Sequence, residues 1–186
     1  MYLRPWVKDL SSTGADMKNT PDMKKSSRIA SLGVFLALAL ILGYVETLIP
    51  INFGVPGMKL GLANMVTVIL LFLFTPQEAF LIQLVRILLS SLLFGNAMSL
   101  IYSLAGGMLS FLVMYFCFRS RKVKMIPLSV IGAVSHNAGQ LIAAAVLVTN
   151  YNIVFYLPVL IISGIVTGLI TGSLSAAVHS RLVKFK

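Results

Sequence analysis

A soluble domain carries roughly a quarter charged residues; this chain of 186 residues has 11% charged and 58% hydrophobic. Its mean hydropathy of +0.95 places it among membrane proteins before any pattern is read. The net charge of +10 would suit nucleic acid, but the basic residues fall in short clusters between apolar runs, where the positive-inside rule puts them, and nucleic acid is not the expected partner.

Residues 1–27, "MYLRPWVKDLSSTGADMKNTPDMKKSS", are polar, mixed in charge and without period. They read as a disordered cytoplasmic tail that holds Asp9, Asp16 and Asp22, three of the five acidic residues. Met23, followed by Lys24 and Lys25, resembles a natural start of a membrane protein, so the first 22 residues read either as an extension or as the product of a start assigned too far upstream. The apolar run after the tail has no small-residue cleavage pattern and reads as a retained helix.

Residues 28–186 form the second region, an all-α membrane domain. Six apolar spans are expected at 28–49, 59–75, 77–95, 97–118, 127–149 and 154–182. Each is expected to span about 30 Å of hydrocarbon at ~1.5 Å per residue. The breaks are "IPINFGVPG", "TPQE", "GN", "RSRKVKMIP" and "TNYN". Breaks as short as "TPQE" and "GN" imply antiparallel neighbours packed directly together. Lys24, Lys25 and Arg28, then Arg119, Arg121, Lys122 and Lys124, then Arg181, Lys184 and Lys186 all fall on one side of a six-span chain. That side is expected to be cytoplasmic, with both termini inside and Lys59 alone on the other face.

Helices in lipid associate through small residues and a few interhelical hydrogen bonds. The sixth span offers Gly164, Gly168 and Gly172 at four-residue spacing, and the fourth offers Gly106 and Gly107. These read as internal packing positions. In the first span Ala30, Gly33 and Ala37 read equally well as internal contacts or as a docking face for another membrane protein.

Arg86 lies near the middle of "FLIQLVRILLSSLLFG". A central arginine costs at least ~2.5 kcal/mol on insertion scales, so it is expected to face the bundle interior. One reading pairs it with Glu46, the only acidic residue inside a span. The other makes its planar fork the receptor for an anionic group of a ligand. Lys59 and Asn64 in "VPGMKLGLAN", and His136, Asn137 and Gln140 in "SHNAGQ", are the remaining polar groups set in apolar sequence. Lys59 reads as an interfacial anchor or a ligand contact. Asn64 and the His136–Gln140 turn read as a buried polar network or a cavity lining, and with Arg86 as one polar centre between helices. Tyr44, Phe53, Tyr102, Tyr151, Phe155 and Tyr156 read as an aromatic belt, with stacking on a planar ligand as the rival. Cys117 and two distant histidines give no metal-ligand spacing, so neither a metal nor a cofactor is expected.

The stretches "VPGMKLGLANMVT", "RILLSSLLFG", "SLAGGMLSFLVM", "SHNAGQ" and "YLPVLIISGIVTGLITG", in this order, resemble the Gx transporter family, catalogued as heptaprenyl diphosphate synthase component I. The resemblance covers roughly residues 28–182. It implies a six-helix fold similar to the S components of energy-coupling factor (ECF) transporters, in a bacterial plasma membrane. It further implies capture of a vitamin-like, isoprenoid or flavin-related molecule, with Ala30, Gly33 and Ala37 docking on a transmembrane coupling protein driven by two ATPases. The loop Pro50–Met58 would be the gate. The synthase name fits the residues poorly: prenyl synthases hold diphosphate through Mg²⁺ on clustered aspartates, and all three aspartates here lie in the tail. That name would suit only a non-catalytic membrane subunit or scaffold. An intrinsic membrane enzyme is the weakest reading, with His136 its sole candidate base.

Overall fold

A computed structural model describes residues 25–48, 62–148 and 155–184. The tail up to Lys24, the loop Pro50–Met58, Lys59, Phe53 and Tyr151 lie outside the described residues. Among the described residues six helices follow one another: α1 (Lys25–Leu48), α2 (Asn64–Leu73), α3 (Pro76–Phe94), α4 (Ala97–Arg119), α5 (Met125–Val148) and α6 (Leu157–Lys184). All except α2 are long and apolar enough to cross a membrane. The fold is all-α, and the protein is a multi-pass membrane protein. The chain divides inside α1, between Val34 and Phe35, into two compact units.

Two boundaries differ from the sequence reading. The helix begins at Lys25, so Lys25, Ser26 and Ser27 belong to α1 and not to a tail. The second span is shorter than 59–75: Leu62 and Ala63 form a turn and the helix runs for only 10 residues, about 15 Å. Its exit is fixed by chemistry. Phe74 caps the helix by donating its N–H to the Leu70 carbonyl, and Pro76 then restricts Thr75 to extended backbone. Hydropathy missed the difference because a helix enclosed by protein is as apolar as one facing lipid. Every residue from Asn64 to Leu71 is buried, and α2 packs against α3, α4, α5 and α6.

The short connections are capped by their own side chains. Thr75 and Glu78 form a reciprocal capping box at the start of α3, with Pro76 at its first helical position. Asn96 accepts the Ser99 N–H at 2.8 Å to start α4. With only Gly95 and Asn96 between them, α3 and α4 must run antiparallel.

The most extensive packing is α4 on α5 and α5 on α6. Glycine makes it so close. A Cβ on Gly164, Gly168 or Gly172 of α6 would lie within 3.0 Å of Cα atoms on α5, those of Val134, Val130 and Ile126 respectively. On the other side of α5, Gly139 would meet Ala105 and Gly106 of α4. Backbones this near gain dispersion contacts that lipid cannot supply. Between these glycines, the hydroxyls of Ser129 and Thr171 pair at 2.9 Å. Tyr102 is no belt residue: it is buried against Leu141, Ala144 and Leu160. Tyr44, Phe155 and Tyr156 are exposed.

Candidate functional site

Buried polar side chains stand on α1, α3 and α5. Arg86 sits about 15 Å along α3 from Pro76 by helical rise, 8% exposed. Its face of α3 also carries Gln83 and Ser90, since residues three and four apart are neighbours on a helix. Both are buried. Gln83 donates its amide nitrogen to the Gly107 carbonyl of α4 at 2.6 Å. A Cβ on Gly107 would collide with Ile87 and press on that same amide, so glycine is what admits Gln83.

Gly106, the next residue on α4, faces α5. There a Cβ would come within 2.8 Å of the Gln140 side chain and 2.7 Å of the His136 carbonyl oxygen. The glycine pair therefore sets Gln83 on one flank of α4 and His136 with Gln140 on the other. Gln83 and Arg86 share a face of α3, and His136 and Gln140 share one of α5.

The C-terminal half of α1 approaches α3. Its buried residues are Ala39, Gly43 and Glu46, spaced to lie on one stripe. A Cβ on Gly43 would stand 4.0 Å from that of Ser90 on α3, and Tyr44 packs its ring on Phe94 at 4.9 Å. Glu46, 6% exposed, lies within electrostatic reach of the Arg86 guanidinium. The only acidic residue expected inside a span thus acts on the only arginine deep in one.

Asn64 and Asn137 serve neighbouring contacts. Asn64 donates to the Ser110 hydroxyl at 3.2 Å, and Ser110 donates onward to the Gly132 carbonyl at 2.8 Å, tying α2, α4 and α5 together. Asn137 points the other way and donates to the Leu160 carbonyl of α6 at 2.9 Å. Both amide nitrogens are committed to holding helices. Lys59 cannot be placed, being outside the described residues.

Several polar atoms of the centre are left over. The Nε of Arg86, the Oε1 of Gln83 and both amide atoms of Gln140 are buried with no hydrogen-bond partner among the described residues. Such atoms are costly, at about 1–3 kcal/mol each, unless something fills the need. Gln83 was missed by sequence reasoning. Its signal was present in "QLVRILLS": an amide three residues before a buried arginine shares its face.

Ala30, Gly33 and Ala37 are all exposed along α1. A Cβ on Gly33 would meet nothing within 4 Å. A surface hollow lies elsewhere, on α6 along Leu169, Ile170, Ser173 and Leu174. It is apolar and open, and takes no part in the polar centre. No group of three or more His, Cys, Asp or Glu side chains among the described residues is placed to hold a metal ion.

The profile of the heptaprenyl diphosphate synthase component I family matches residues 35–178. The chain belongs to that family. Among solved structures, this chain resembles the S component of a bacterial ECF transporter with a TM-score of 0.67 over 87% of this chain and 98% of that one. Sequence identity between the two is 20%, so the likeness is one of fold. No curated protein matches the chain.

Proposed function

We propose that this protein is the membrane-embedded capture subunit of an uptake system in a bacterial plasma membrane. It binds a small anionic molecule at the polar centre and borrows its energy from a partner. The observation that carries this reading is the buried Arg86, whose Nε has no partner among the described residues. A guanidinium serving only as an internal brace would have every donor satisfied, because an unpaired buried donor costs more than a hydrogen bond returns. A ligand carboxylate or phosphate would supply the missing acceptor and share the charge with Glu46.

The likeness to an S component, nearly complete along that protein, supports the division of labour. A subunit of this kind holds the solute while a coupling protein with two ATPases does the work. In this reading Ala30, Gly33 and Ala37, each exposed on α1, are the small residues on which such a coupling protein docks. The loop Pro50–Met58 is the gate in this reading, and Lys59 is a second cation for the anion.

A second reading makes the protein a non-catalytic subunit of heptaprenyl diphosphate synthase, or a scaffold for isoprenoid, quinone or flavin-linked enzymes. The family's description favours it. The two readings separate on gentle extraction followed by native mass spectrometry and identification of copurifying chains. The capture subunit retains a small molecule and brings down a membrane coupling protein with two ATPases. A scaffold brings down a soluble synthase or redox partner and retains no small molecule, and that outcome would end the transport reading.

A further inference from the structure

Four amide side chains among the described residues are buried: Asn64, Gln83, Asn137 and Gln140. Three commit their nitrogen to a neighbouring helix, Asn64 to Ser110, Gln83 to the Gly107 carbonyl and Asn137 to the Leu160 carbonyl. Gln140 is the exception. It is 0% exposed, yet neither its donor nor its acceptor has a partner among the described residues. Nothing in helix packing explains it, since a leucine or methionine would fill the same space against Gly106 without a polar atom to satisfy.

A primary amide presents an N–H and a carbonyl oxygen side by side in one plane. What satisfies both at once is the complementary edge, a carbonyl beside an N–H, as in a lactam or cyclic imide. An ionised carboxylate does not, because it has no donor for the Gln140 oxygen. A second orphan sharpens the choice. Gln83 keeps an unpartnered Oε1 against Gly107, the residue next to Gly106 on α4, and it also calls for an N–H. Arg86, on the same face of α3 as Gln83, calls for an anion.

We infer that the polar centre is built for a planar, lactam- or imide-edged ring that bears an anionic group. Gln140 is its specificity-determining residue, and Gln83 supplies the second acceptor. This inference rests on the capture reading above and narrows its substrate class. Binding would be selective because a site with buried donors and acceptors rejects analogues that leave them unpaired.

The test uses the full chain in lipid nanodiscs and three carboxylate probes: orotate, a lactam-form quinolone carboxylate, and benzoate, which has no lactam edge. Binding is read by calorimetry and by the shift in melting temperature. Orotate or the quinolone should bind at least about tenfold more tightly than benzoate, and methylation of their ring nitrogens should remove the advantage. Gln140→Met should remove it too, bringing the rings down to the affinity of benzoate. Should Gln140→Met fail to fold, the methylated probes on the unaltered protein decide alone. If neither ring binds better than benzoate, or if methylation and Gln140→Met both leave them unchanged, the inference is overturned. Capture would still stand in that case if the extracted protein retains a small molecule that Arg86→Ala releases.

Discussion

Gly168 on α6 meets Val130 on α5 so closely that a Cβ on the glycine would stand 2.5 Å from the valine Cα. A backbone atom cannot move aside as a side chain can, so the two helices must separate to admit even a methyl group. Gly168→Val should therefore lower the unfolding free energy by about 1–3 kcal/mol or more. Thermal unfolding in nanodiscs checks this, and an unchanged midpoint would contradict the packing described.

Gly33 is the opposite case. With open space around it, Gly33→Ala should shift stability by no more than about 0.5 kcal/mol beyond its gain in helix propensity. The larger Gly33→Leu should leave the isolated protein intact while reducing the yield of any copurified coupling protein. Equal recovery of that partner from both variants would remove α1 from the docking role.

Arg86 and Glu46 can be separated by paired substitutions. If the arginine receives a ligand, Arg86→Ala abolishes ligand-dependent stabilisation while the apoprotein still assembles. If the two groups chiefly brace each other, Arg86→Ala and Glu46→Ala impair membrane assembly alike, by roughly 3–5 kcal/mol for an orphaned buried charge. Expression level and unfolding midpoint, with and without the retained small molecule, distinguish the outcomes.

The relay from Asn64 through Ser110 to Gly132 should behave as a unit. Asn64→Ala and Ser110→Ala each leave a buried group unpaired, and the double variant should cost less than their sum by about 0.5–3 kcal/mol. Strict additivity in the double-mutant cycle would show that the two side chains act independently.

The helical fold was readable because lipid imposes it. Long apolar runs separated by "TPQE" and "GN" leave few alternatives when every backbone group must be satisfied internally. Gly164, Gly168 and Gly172 were visible as packing positions from their spacing alone. The extent of α2 was not, because burial in protein and burial in lipid select the same residues. Arg86 and Gln140 stood out by their cost. Gln83 did not, because a glutamine near a helix middle is unremarkable until Gly107 is seen to receive its amide. Whether Asn64 and Asn137 hold helices or face a ligand was likewise undecidable from spacing, since that depends on which neighbour's hydroxyl or carbonyl lies opposite.

The enclosure of α2 by α3, α4, α5 and α6 bears on how the molecule comes to be built. A segment ringed by four others cannot reach its final setting until those four have been synthesised and have gathered. The ribosome delivers it second, yet its surroundings are completed last, when α6 emerges and the Ser175 hydroxyl comes to rest on the Met65 carbonyl. Until then this stretch must wait in a provisional environment. The chain's closing step is therefore an act of enfolding, and truncation near its end would strand its middle.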